Sequence, residues 1–83
     1  MSPCEAVRFV FSGSLSSDSF IDFARHRAAR LDVKLAFGSC RDGRIELTIR
    51  GPAALVDAFE MACSLGPEDC IVQNVRRLGG SED

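Results

Sequence analysis

The stretch with the most chemical potential is Ser12-Gly13-Ser14-Leu15-Ser16-Ser17-Asp18-Ser19. It joins an alternating apolar segment to a segment of helical periodicity. At a helix start several backbone N–H groups lack intrahelical partners and share the positive end of the dipole, which makes a ready anion site. The candidate anion-loop residues are Ser14, Leu15, Ser16, Ser17, Asp18 and Ser19, with the serine hydroxyls as additional donors. The competing reading is that such a serine-rich stretch only caps the helix. His26 is the sole histidine, with no Ser–His–Asp or Cys–His spacing around it, so a surface role is expected. Cys4, Cys40, Cys63 and Cys70 contain no CxxC pair. Four reduced thiols are therefore expected, with no metal and no cofactor.

The elements that must position this loop follow from periodicity. Val7, Phe9 and Phe11 alternate against Arg8, so residues 5–12 predict a strand. Ser19 with Asp22 resembles a capping box, and Phe20, Phe23, Ala24, Ala28 and Leu31 recur at helical spacing behind it. Residues 33–39 predict a second strand, with Leu35 and Phe37 on one face. Asp42-Gly43 gives a hairpin signal, and Ile45, Leu47 and Ile49 then alternate with Arg44, Glu46, Thr48 and Arg50. That strand has one wet face. Gly51-Pro52 is expected to open a second helix, with Pro at its first position, and Gly66-Pro67 to end it. Leu55, Val56, Phe59, Ala62 and Cys63 form its apolar face, and residues 71–78 predict the last strand.

Strand, helix, strand, strand, helix, strand is the split βαβ pattern. The expected fold is α+β: a ferredoxin-like βαββαβ sandwich, one antiparallel sheet with two helices on one face. Its other face is left open to solvent or to a partner. The chain has 83 residues, enough for a single domain, with an ordered core over about 5–78 and a flexible tail over 79–83. Hydrophobic residues make up 46% and charged residues 27%, and no apolar run approaches the ~20 residues of a membrane span. Met1-Ser2-Pro3-Cys4-Glu5 has neither a basic nor an apolar leader segment, so a cytoplasmic location is expected. The net charge of −2 argues against a dedicated nucleic-acid binder, although basic residues cluster at Arg25–Arg30, Arg41–Arg44 and Arg76-Arg77.

From about Val7 to Pro67 the chain resembles the acylphosphatase family. The matching residues are Ser12-Gly13, Phe20, Ala28, Arg30, Leu31, Asp42-Gly43-Arg44-Ile45-Glu46, Gly51-Pro52, Val56, Phe59 and Gly66-Pro67. The family hydrolyses the carboxyl–phosphate anhydride of acyl phosphates without a metal. The resemblance implies a loop, G-R-V-Q-G-V-x-F-R, whose amides cradle phosphate. Its final Arg holds the phosphate charge, and an Asn ending the second strand orients the attacking water. Here the arginine position falls on Ile21 and the asparagine position on Ser39, so neither catalytic residue carries over. Isoleucine offers no charge and no donor, and phosphoryl chemistry depends on both. Asp18 adds a carboxylate to the loop. At about 5 Å and an effective dielectric near 20 it repels each unit of phosphate charge by roughly 3 kcal/mol.

Three readings follow. The first is an acylphosphatase-like domain that has lost hydrolysis and acts as a binding or structural module. Its partner would be a protein or a small anionic ligand, and it would be a monomer or weak dimer. The second is an active acylphosphatase with displaced catalytic groups, Arg25 or Arg41 standing in for the missing arginine. The third is an RNA-binding module on the open sheet face. The phenylalanines mostly share the helix-facing registers and there is no Tyr or Trp, which disfavours base stacking and makes nucleic acid an unlikely partner.

Overall fold

The computed structural model describes the backbone of residues 4–78 and side-chain surroundings from Ala6 to Leu78. The expected flexible tail, 79–83, and the thiol of Cys4 lie outside these descriptions. The elements are β1 (Cys4–Ser14), α1 (Ser17–Leu31), β2 (Lys34–Arg41), β3 (Arg44–Pro52), α2 (Ala53–Leu65) and β4 (Ile71–Leu78). The strands form one sheet in the order β2-β3-β1-β4, and every neighbouring pair is antiparallel. This is the ferredoxin-like βαββαβ architecture that the periodicity predicts.

Alternation places Val7, Phe9, Phe11, Ile45, Leu47 and Ile49 on one face, all buried. Both helices cover that face. Phe20, Ala24 and Ala28 at four-residue spacing supply the stripe from α1, and Val56, Phe59 and Cys63 supply the one from α2. Phe9, Phe11, Phe20 and Phe59 are fully buried, each contributing about 1.5–3 kcal/mol of transfer free energy. Ring centroids lie 5.8 Å apart for Phe9 and Phe11, 5.1 Å for Phe11 and Phe20, and 6.5 Å for Phe9 and Phe59. This chain of rings ties the central strand to both helices.

Several boundaries differ from the expectation, for nonlocal reasons. β1 continues past Ser12 because Gly13 pairs with Val72 and Ser14 with Ile71 across a register shift in β4. Gly13 sits at φ +144, and a Cβ there would come within 2.3 Å of the Ile71 carbonyl oxygen, so only glycine fits. β2 runs on to Arg41 through an irregularity between Phe37 and Cys40. Pro52 ends β3 and is the N-cap residue of α2 rather than its first helical residue.

Candidate anion loop and the hairpin that seals it

The helix after β1 starts at Ser17, with Ser16 as N-cap, about one turn closer to the strand than a Ser19 capping box would put it. Ser16 makes no side-chain cap bond. The Ser19 hydroxyl instead donates to Asp69 Oδ2 at 2.8 Å, across the start of β4. The six candidate residues are thus divided among three settings. Ser14 closes β1, Leu15 and Ser16 form the connection, and Ser17, Asp18 and Ser19 occupy the first turn of α1. Leu15 is buried in the core, so its side chain faces away from any ligand.

The hairpin between β2 and β3 closes over this connection. Gly13 N–H donates to the Gly43 carbonyl at 3.2 Å, and Gly43 N–H donates to the Leu15 carbonyl at 3.0 Å. The Ser17 amide donates to Asp42 Oδ1 at 2.9 Å. Gly43 holds φ +90, which presents both its N–H and its carbonyl to the loop. The carboxylate at the helix N-terminus is therefore supplied by the protein itself, from 25 residues away. A carboxylate on a first-turn amide is stabilised by both the hydrogen bond and the dipole. Leu15 N–H is taken by the Gly13 carbonyl at 3.0 Å, and Ser16 N–H faces Cys70 Sγ at 3.4 Å. Only the amides of Asp18 and Ser19 keep the free position that a first helical turn gives them. Asp18 places a second carboxylate in that same turn.

Ile21 is half-buried on α1 and Ser39 is exposed on β2. Neither basic neighbour is held at the loop. The Arg25 guanidinium lies 5.8 Å from the ring centroid of Phe37, one turn further along α1. Arg41 pairs with Arg44 at the hairpin, alternating with the core-packed Cys40, and so belongs to the opposite face of the sheet. Ser19 lines a solvent-open hollow of about 580 Å³ with Asp22, His26, Arg27, Arg30 and Asp69, on the flank of α1. His26 is exposed, its Nδ1 2.9 Å from the Asp22 carbonyl, in the surface role expected of it. Among the described residues no three His, Cys, Asp or Glu side chains converge as a metal site would need. Cys40, Cys63 and Cys70 are unpaired thiols. Burial pushes the Cys63 thiol up to about 12, opposed by the charge of Arg27.

What sequence reasoning missed here is Asp42. Its Asp-Gly dipeptide reads as a hairpin signal, and nothing local says that its carboxylate reaches the helix start.

No family model matches the chain. It is 36% identical over 69 residues to an acylphosphatase of Rubrobacter xylanophilus, a match covering 83% of this chain and 63% of that protein. The fold is shared with the crystal structure of acylphosphatase from Bacillus subtilis, at a TM-score of 0.84 and 20% identity over 95% of this chain and 87% of that one. An acylphosphatase from Coxiella burnetii superposes with a TM-score of 0.81 at 20% identity, over 90% of this chain and 79% of that one. With the βαββαβ fold and the curated relative taken together, the chain is an acylphosphatase-like domain.

Proposed function

We propose that this domain no longer hydrolyses acyl phosphates and acts as a binding or structural module, as a monomer or weak dimer in a reducing cytoplasmic setting. The observation that carries the reading is Ile21, a half-buried aliphatic side chain where the resemblance implies the arginine that clamps phosphate. Removing one preorganised donor of this kind typically lowers rate by about 10²–10³. Further support comes from the electrostatics of the loop. The Asp42 carboxylate already accepts from the Ser17 amide, and Asp18 lies in the same turn, so an incoming phosphate meets two carboxylates at the helix start. Ser39 provides a hydroxyl where the resemblance implies an amide for orienting water. The three unpaired thiols among the described residues fit the reducing setting.

The 36% identity to a relative named acylphosphatase favours a second reading, in which hydrolysis persists with displaced groups. Arg25 and Arg41 are the side chains it would recruit, and each would have to leave its present position. Phosphate release from benzoyl phosphate separates the two. The first reading expects a rate equal to that of buffer; the second expects a rate proportional to protein and reduced in Arg25→Gln or Arg41→Gln.

A further inference from the structure

The sheet sorts charge by face. Residues alternating with the core on β1, β2, β3 and β4 bring Arg8, Lys34, Arg41, Arg44, Arg50 and Arg76 to the uncovered face, all exposed. Among the described residues the carboxylate there is Glu46, and it is already engaged by Arg44 Nη1 at 2.6 Å. The helix side carries most of the acidic residues, and its Arg77 is held by Asp57 and Glu60. The net charge of −2 therefore conceals a strongly dipolar molecule.

The cations are also set against one another. Lys34 lies directly opposite Arg50 and Arg41 directly opposite Arg44, an arrangement that destabilises a sheet. A sequence that keeps such pairs opposes its own folded state unless an anion relieves them. Between these cations the face is hollowed. Ala36 and Gly38 on β2 leave space beside Thr48, forming two shallow cavities of about 220 and 250 Å³. Arg8 and Glu46 line the first, and Lys34 and Arg50 line the second.

We infer that the uncovered face docks an acidic protein segment, an extended Asp/Glu-rich peptide laid across β1, β3 and β2. Guanidinium forks match carboxylates bidentately, and a partner's carboxylates would relieve the opposed cations. A peptide is favoured over RNA because the face carries no aromatic side chain on which a base could stack. Phe9, Phe11 and Phe37 all share the helix-facing registers, and among the described residues the buried apolar side chain on the open face is Val10, 5% exposed. This inference does not rest on the proposed loss of hydrolysis, since the face lies across the sheet from α1, and its test needs no turnover.

The test is a titration of the full chain with a labelled twelve-residue peptide of alternating Glu and Ser. A Gln/Ser peptide, a twelve-nucleotide RNA strand and inorganic phosphate serve as the other arms. The Glu/Ser peptide is expected to bind and to shift the guanidinium NMR signals of Arg8, Arg50 and Arg76. Its affinity should fall at least about tenfold between 0.1 and 1 M salt, where the Debye length shortens from about 10 to about 3 Å. Lys34→Gln with Arg50→Gln should weaken it at least about fivefold while leaving the melting midpoint unchanged or higher. Arg30→Gln, on the helix side, should leave it unchanged. Tighter binding of RNA than of the peptide would overturn the inference. So would an equal loss in Arg30→Gln, or salt-reversible self-association that the peptide cannot displace, which would make a second copy the occupant.

Discussion

Replacing Asp42 by Ala removes a side-chain hydrogen bond between the hairpin and the start of α1. The lost bond is Ser17 N–H to Asp42 Oδ1, 2.9 Å long and solvent-exposed. A capping acceptor at a helix start contributes about 0.5–2 kcal/mol, and a negative charge near the N-terminus a further 0.3–1 kcal/mol at low ionic strength. The two backbone bonds between Gly43 and the loop remain, which limits the damage to the carboxylate itself. The expected loss is about 1–2 kcal/mol, which in a domain of this size lowers Tm by roughly 5–15 °C. Asp42→Asn keeps an acceptor oxygen and loses the charge, so about 0.3–1 kcal/mol is expected, shrinking as salt is added. Thermal and urea unfolding of the three proteins at low and high salt measure this. An Asp42→Ala Tm within about 1 °C of the parent would show that the carboxylate does not hold the helix start, and the sealed-loop account would fail.

At Gly13 an alanine meets the Ile71 carbonyl oxygen and the Gln73 nitrogen inside contact distance, at a φ that L residues rarely adopt. Gly13→Ala should lose about 2 kcal/mol or more, read by urea unfolding, and a loss under about 0.5 kcal/mol would contradict the pairing of Gly13 with β4. Phe11→Ala empties the middle of the ring chain and should destabilise by about 3–5 kcal/mol on the same assay. Cys63 has a folded-state value raised by burial from 9.0 to about 12, so its contribution to stability is complete below pH 9 and is lost as pH climbs toward 12. Urea midpoints measured from pH 7 to 11 should fall above pH 9, and less steeply in Cys63→Ala. Ile21→Arg with Ser39→Asn should stay poorly active on benzoyl phosphate because Asp18 pairs with the new arginine. Adding Asp18→Val should raise kcat/KM at least roughly tenfold, and equal rates would show that Asp18 does not oppose phosphate.

The fold was legible because its signals are local and redundant. Ile45, Leu47 and Ile49 alternate without a break, Phe20, Ala24 and Ala28 hold one helix face, and Asp42-Gly43 marks the hairpin. The helix start was misplaced because Ser19 and Asp22 satisfy a local capping pattern, whereas the side-chain acceptor at the actual first turn comes from Asp42 across the chain. β1 ran past its predicted end for the same reason, since the pairing of Gly13 and Ser14 depends on β4. At the candidate site, Ile21 and Ser39 stand out only through the resemblance, whose motif sets an arginine and an asparagine at those positions. Which loop amides remain free was not legible, because that is decided by the hairpin and by Cys70. Net charge conceals the distribution. A value of −2 argues against a dedicated nucleic-acid binder, but charge acts through faces, and the strand register is what shows that Lys34, Arg50 and Arg8 share one.

The loss of hydrolysis is tested most directly by phosphate release from benzoyl phosphate, measured with the unmodified chain over a range of protein concentrations. Ile21 supplies no charge to the phosphate and Asp42 occupies the Ser17 amide, so the release rate should equal that of buffer at every concentration. A rate that rises in proportion to protein, and falls when Arg25 is replaced by Gln, would contradict the account and assign the clamp to Arg25.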